Sequence, residues 1–357
     1  MTHDFLIIGG GIAGISAAAR LAPLGSVLLL EAEENFAYHA SGRSAALYEP
    51  RYGNPAVVAL SMASNDFFQA SGTLSPRGLM FIDTPDQRAR FEQSVKAFDL
   101  DPLSVEEARA IVPILNPEVV GLAAYARHAW DVDTDLLIQN FLREARAHGA
   151  ETRTRAPVRA IRQITGGWAV KTPEGTHEAR IIVNAAGAWA DPVAEMAGLA
   201  PLGIQPYRRS MARLPAPGGH DVSGWPMLIG GAEDWYAKPD AGALIVSPAE
   251  EDPMTPHDAF ADDMVLAEGL ARYEEMVTEP VTRLLSNWAG LRSFAPDRVP
   301  VIGFAPDAPG FFWLAGQGGY GFQTCPAACQ LVADLIGGRA PDLPPEIVAS
   351  LSPARFA

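Results

Sequence analysis

Apolar residues along the chain arrive in short blocks whose spacing changes from segment to segment. Phe5-Leu6-Ile7-Ile8 and Val27-Leu28-Leu29-Leu30 are unbroken apolar runs, the pattern of strands buried on both faces. A helix-like run lies between them. The spacing predicts a helix over about 134–148, with Leu136, Leu137, Phe141, Leu142 and Ala145 on one face, Asp133 or Thr134 as cap and Gly149 as stop. Ser104-Val105-Glu106-Glu107 reads as a capping box opening a short helix that stops near Pro113. Two β-type segments, Pro157–Ile164 and Trp168–Lys171, flank Gly166-Gly167 as a hairpin. Ala179–Asn184 predicts a strand, followed by a helix with Asp191 as cap and Pro192 at its first position. From Leu202 to about Leu285, strand-like pieces at Ser210–Leu214, Trp235–Lys238 and Ala243–Val246 alternate with Pro/Gly loops. They predict an antiparallel sheet that covers a ligand site, followed by a helix near Val265–Tyr273. Strand-then-helix texture returns at Phe311–Ala315 and runs to about Ile336, where Gly337-Gly338 ends it.

The first two apolar runs carry a specific motif. Gly9-Gly10-Gly11-Ile12-Ala13-Gly14 follows the first strand, and Glu31 ends the second, 22 residues after Gly9. This is the βαβ dinucleotide fingerprint in full context. Gly9 turns the chain, Gly11 admits a pyrophosphate to the backbone, and Gly14 lets helix and strand approach. The helix N-terminus offers free N–H groups to phosphate, and Glu31 can accept from both ribose hydroxyls. A second glycine-rich loop, residues 316–321, opens another helix some 300 residues later. Two such dipoles suit the two ends of one long cofactor, one at the pyrophosphate and one at the N1/O2 edge of a reduced flavin ring. The small-residue loop Tyr38–Ala46 suits close approach to that ring. The expected fold is α/β: a Rossmann-like FAD-binding domain over 1–75, 134–203 and 286–357, with an inserted antiparallel-sheet α+β substrate domain over 76–133 and 204–285.

Composition narrows the remaining classes. The 357 residues suffice for a large core. A net charge of −15 opposes nonspecific binding to nucleic acid or anionic membrane. No apolar run is long enough to span a bilayer, and the N-terminal run is too short for a signal peptide, so the expected location is cytoplasmic. Cys325 and Cys329 are read as core residues, and the seven His show no metal-ligand spacing.

The amino-terminal fingerprint, Val183–Trp189, Trp288–Phe294 and Gly316–Gly321 together resemble the FAD-dependent D-amino acid oxidase/dehydrogenase family, which includes glycine and sarcosine oxidases. Tyr38–Ala46, Arg208-Arg209-Ser210, Trp225–Leu228, Tyr236–Gly242 and Gln317–Gly321 are most similar to its bacterial D-arginine dehydrogenase branch. The resemblance implies noncovalent FAD and oxidative deamination of an amino acid, with oxygen or a quinone as acceptor. It implies FAD contacts from Gly9, Gly11, Ile12, Ala13 and Gly14, from Glu31 and Ala32, and from Ser41, Gly42, Arg43, Ser44 and Ala45. Further contacts come from Val158, Ala186, Gly187 and Trp189, from Arg292, and from Gly318, Gly319, Tyr320, Gly321, Phe322 and Gln323. Arg292 matches the family's partner of the substrate carboxylate, a pairing for which a guanidinium fork is suited. Arg209 matches a second arginine of that branch, with Arg208 its rival, Tyr236 matches a phenol that hydrogen-bonds the substrate carboxylate, and Tyr52 matches another pocket tyrosine. Ser44 matches a position near flavin and substrate, and Glu233 is either poised near the amine or solvent-facing.

Two departures from that branch concern the side-chain pocket, expected to be formed by Leu47, Leu79, Tyr52 and Phe322. Leu79 stands where a carboxylate recognises a cationic side chain, and Leu47 where a His stands. A guanidinium facing two leucines would lose both partner and water, at a cost of several kcal/mol. The expected substrate is therefore an apolar or aromatic D-amino acid. The alternatives are glycine, sarcosine or another N-methyl amine, a nicotinamide-dependent dehydrogenase, and an inactive flavin-binding scaffold.

Overall fold

The computed structural model describes residues 2–357. Six strands and three helices frame the site: β1 (Thr2–Ile8), α1 (Ile12–Leu21), β2 (Val27–Leu30), α2 (Thr134–Ala147), β3 (Gly175–Asn184), β4 (Gln205–Pro215), β5 (Ser286–Phe294), β6 (Phe311–Ala315) and α3 (Gly321–Ile336).

β1 lies inside an eight-stranded sheet. It pairs in parallel with β2 on one side and β3 on the other, and β6 joins β3 in parallel. Glu151–Arg153 extends the sheet beyond β2, and the hairpin Ala160–Ile164/Gly167–Thr172 extends it antiparallel from β3. Alternation along β1 explains its unbroken apolar run. Phe5 and Ile7 point to a core shared with α1, α2 and α3, while Leu6 and Ile8 point to a second core with Trp168, Val193 and Trp313. Cys325 and Cys329 are buried in the first of these cores.

A nine-stranded sheet forms the other layer, running from Asp252–Pro253 through β4, Ala243–Ser247, Tyr236–Asp240, Met227–Gly230, Leu79–Asp83 and Leu122–Ala126 to Asp101–Leu103. It is antiparallel except where Met227–Gly230 runs parallel to Leu79–Asp83. β5 pairs with β4 over nine residues, Gln205 against Phe294 to Arg213 against Ser286. The strand that begins at Ser286 therefore belongs to this sheet, not to the layer of residues 295–357 with which the sequence grouped it. The expected α/β architecture, with a largely antiparallel sheet inserted among the nucleotide-fold segments, is observed.

Two local expectations are corrected. The helix Ala190–Met196 starts one residue before Asp191, whose carboxylate instead accepts from the backbone N–H groups of Leu202, Gly203 and Ile204. In α2 the buried face is Leu137, Ile138, Phe141, Leu142 and Ala145, with Leu136 only half-buried, so the helix is turned by one position. Asp133 is its cap, accepting from the Leu136 N–H. Among the described residues no helix is long and apolar enough to cross a membrane, and no group of side chains is arranged to hold a metal ion.

Candidate active site

A cavity of about 440 Å³ runs between the two sheets from the tip of β2 to the start of α3. At one end lies the N-terminus of α1. Gly11 occupies the cap position and has no side chain to cap with, and the first turn holds no acid, so among the first N–H groups of the helix the Ile12 N–H is met by a side chain from another segment and the helix end faces the cavity. Gly9 sits at φ +109°, and a Cβ there would lie 2.4 Å from the Ala185 carbonyl oxygen. A Cβ on Gly14 would lie 1.9 Å from the Gly9 oxygen. Both glycines are therefore demanded by packing. Glu31 lines the cavity and accepts from the N–H groups of Gly10 (2.7 Å) and Glu33 (2.9 Å). Each carboxylate oxygen keeps a lone pair for a ribose hydroxyl. Ser41 Oγ accepts from the Ile12 N–H at 3.0 Å. The His39 and Trp189 rings, 4.6 Å apart, form an aromatic wall. A helix N-terminus reached through glycines, a carboxylate at the strand tip and an aromatic wall suit pyrophosphate, ribose and adenine in turn.

At the other end two arginines converge from adjacent strands. Tyr207 pairs with Arg292 and Arg209 with Gly290, which puts Arg209 and Arg292 on the same face of the sheet, two residues apart along the ladder. Arg209 is committed: Nε donates to the Glu250 carbonyl at 3.0 Å and Nη2 to Glu251 Oε1 at 3.3 Å. Burial, and then the charge of Arg292, hold its pKa below the ordinary arginine value. Arg292 lines the cavity and has no hydrogen-bond or ion-pair partner among the described residues. Its burial disfavours the charge, but Tyr236, Tyr52, Tyr320 and Glu251 outweigh that and raise its pKa. The guanidinium lies over Gly319, where a Cβ would come within 3.0 Å of its Cζ. α3 starts beside it, again with no side-chain cap and no acid in its first turn. The residues present therefore fit FAD at both ends.

The cavity gathers most of the expected cofactor positions. Gly9, Gly11, Ile12, Ala13, Glu31, Ala32, Ser41, Arg43, Ser44, Ala45, Val158, Ala186, Gly187, Trp189, Arg292, Gly318, Gly319, Gly321 and Phe322 all line it, and so does Arg209, expected at the substrate. Gly14 and Gly42 lie just behind, each packed on a backbone carbonyl. Tyr320 and Gln323 are also behind the wall, and Gln323 Nε2 donates to the Tyr52 carbonyl at 3.0 Å.

Several expectations are corrected. Leu47, Leu79, Tyr52 and Tyr236 do not line the cavity but share an apolar cluster with Phe81, Phe98, Met211 and Trp288. Tyr236 donates to Met211 Sδ at 3.4 Å, and Met211 reaches the cavity in its place. Of the two placements left open for Glu233 the solvent-facing one is found, in the turn after Met227–Gly230 and away from the cavity. Of the two rival arginines, Arg209 lines the cavity while Arg208 faces Asp252 at 2.6 Å. The Arg43 side chain spends its donors on protein oxygens. The sequence reading missed Met211, His39, Ser293, His257 and Ala259 in the lining. Met211 was recoverable from strand alternation, two residues from Arg209, whereas Ser293, next to Arg292, falls on the face that alternation turns away. The strap carrying His257 and Ala259 bears no local signal.

Glycine oxidase of Pseudomonas aeruginosa is 30% identical over 97% of this chain and 98% of its own length. The solved structure of an L-proline dehydrogenase from P. horikoshii superposes with a TM-score of 0.84 at 24% identity, covering 99% of this chain and 98% of that one. Glycine oxidase from Geobacillus kaustophilus gives 0.84 at 22%, covering 98% of each chain. These relatives give no support to the narrower likeness to D-arginine dehydrogenase. A family model described as "DAO: FAD dependent oxidoreductase" matches residues 4–335, and this chain belongs to that family of FAD-dependent enzymes.

Proposed function

We propose that this enzyme oxidises the Cα–N bond of glycine or an N-methylated glycine, with oxygen or a quinone as the final acceptor. The observation that carries the reading is the unpartnered guanidinium of Arg292, held at the cavity beside the start of α3. A substrate carboxylate supplies the two oxygens its N–H fork lacks. The smallness of the substrate is supported by the cavity wall. Leu47, Leu79 and Tyr52, expected to shape a side-chain pocket, are packed into the apolar cluster and leave the lining. The resemblance to a glycine oxidase along the whole chain agrees with it.

In this reading the N-terminus of α1 and Glu31 hold the pyrophosphate and ribose of FAD. When bound, FAD supplies the acceptor for the Cα hydride. The chain's own residues do the rest. Arg292 fixes the carboxylate and so fixes the direction of the Cα–H bond, with the charge of Arg209 nearby. The acids that line the cavity, Glu31 and Glu33, lie at the β2 end. Beside the two arginines the substrate amine therefore binds without its proton, and its lone pair is free to push the hydride out. The resulting imine hydrolyses to a 2-oxo acid and ammonia or methylamine.

A second reading, an apolar D-amino acid as substrate, is favoured by the apolar cluster that backs Met211. Anaerobic mixing of the FAD-loaded enzyme with glycine, N-methylglycine, D-leucine and D-arginine separates them. Fastest flavin bleaching by glycine or N-methylglycine supports the proposal. Faster bleaching by D-leucine transfers it to the second reading, and faster bleaching by D-arginine contradicts both. Oxygen uptake against quinone reduction then identifies the acceptor.

A further inference from the structure

Residues 255–261 cross the cavity mouth as a strap between the edge strand Asp252–Pro253 and the helix Asp263–Glu275. The strap is tied at its start, where the Met254 N–H donates to the Pro206 carbonyl and the Met254 carbonyl accepts from Gln205 Nε2. At its end Asp262 caps the following helix. Between those points, among the described residues, no strap residue exchanges a backbone hydrogen bond with another backbone group. Side chains from the segment Tyr38–Arg43 hold its middle, Arg43 foremost, with His39 Nδ1 3.9 Å from Asp258 Oδ1. Arg43 Nη1 donates to the Ala259 carbonyl (2.8 Å) and the Ala289 carbonyl (3.0 Å), and Nη2 donates to Asp258 Oδ1 (2.5 Å). Arg43 Nε donates to the Tyr38 carbonyl, the Tyr38 hydroxyl donates to Asp258 Oδ2 at 3.2 Å, and the guanidinium lies over the Tyr38 ring. Ala259 is pressed against Ala188, Ala289 and Leu291, while its neighbour Phe260 is 70% exposed.

The two strap residues that line the cavity, His257 and Ala259, flank Asp258. We infer that the Arg43–Asp258 pair is a latch that closes the 255–261 strap over bound FAD and sets how long the cofactor is retained. The latch sits at the surface, with Asp258 58% exposed, so it is sensitive to salt. Opening it frees the strap while leaving both sheets and the arginine pair of the substrate end in place. Asp258 acts here as a positioning residue through Arg43 and does not itself line the cavity.

The test dilutes FAD-loaded enzyme into FAD-free buffer and follows the return of free-flavin fluorescence at low and high salt. Asp258→Ala is expected to release FAD about 3- to 10-fold faster at low salt, and its rate to lose most of the salt response seen in the wild type. Tyr38→Phe, which removes only the hydroxyl contact, should fall between them, and Asp258→Glu should restore most of the retention. The thermal midpoint of the FAD-free protein should be the same in all four. Release from Asp258→Ala at the wild-type rate, or with the wild-type salt response, would overturn the latch. The readout is independent of which amine is oxidised, so its failure leaves the proposed reaction standing, and failure of that reaction leaves the latch standing.

Discussion

The guanidinium of Arg292 rests on the bare Cα of Gly319, with Cζ and Nη1 both 3.0 Å from where a Cβ would stand. A strand of the antiparallel sheet and the loop opening α3 thereby position one cation together. Gly319 is not in the left-handed region, so alanine there is free of backbone strain and acts through that contact alone. Gly319→Ala should displace the guanidinium by a few tenths of an ångström and lower kcat/KM by about 10- to 100-fold, mostly through KM, with little change in thermal midpoint. Steady-state kinetics beside a melting curve check this.

Glu49 supplies a pH signature. It is 2% exposed, its Oε1 accepts from the Arg51 N–H, and its Oε2 has no hydrogen-bond partner among the described residues and lies 3.4 Å from His128 Nε2. Burial pushes its pKa up to about 7. A carboxyl whose folded pKa is raised binds more protons in the native state between its two pKa values. Its favourable contribution is complete below about pH 4.5 and is lost as pH rises through about 7. Glu49→Gln keeps the Arg51 contact without the charge. The variant should match the wild type near pH 4.5 and exceed it at pH 8 by on the order of 3 kcal/mol. Urea unfolding across that range measures the difference.

Asp131 joins two cations from distant segments. Its Oδ1 accepts from Lys238 Nζ at 2.8 Å, and its Oδ2 from Arg77 at 2.5 and 2.7 Å. Lys238 is 8% exposed, so removal of the carboxylate strands a buried ammonium. Asp131→Ala should cost about 3–5 kcal/mol, seen as a lower urea midpoint with an unchanged slope.

The nucleotide end was legible because its demands are local. Gly9 and Gly14 are fixed by contacts among residues 7–14 and the neighbouring strand, and the apolar runs of β1 and β2 report burial on both faces. The substrate end was legible only in part. Motif resemblance singled out Arg292, but its lack of a partner depends on where Glu250, Glu251 and Arg298 settle in three dimensions. Leu47 and Leu79 were assigned to the side-chain pocket and Tyr236 to the substrate carboxylate, whereas cross-strand packing draws them into a cluster behind Met211. Pairs such as Arg43 with Asp258, 215 positions apart, and Lys238 with Asp131, 107 apart, have no footprint in periodicity. The same holds for β5, whose sheet is chosen by β4 far upstream.

The central claim is that Arg292 holds the substrate by its carboxylate, and stopped-flow reduction under anaerobic conditions addresses it most directly. Flavin bleaching is followed against glycine or N-methylglycine concentration in the wild type, Arg292→Lys and Arg292→Ala, each loaded with FAD. The account predicts saturable bleaching in the wild type, a rise of about 100-fold or more in the half-saturating concentration for Arg292→Ala, and partial recovery with lysine. Equal half-saturation in the wild type and Arg292→Ala would contradict it.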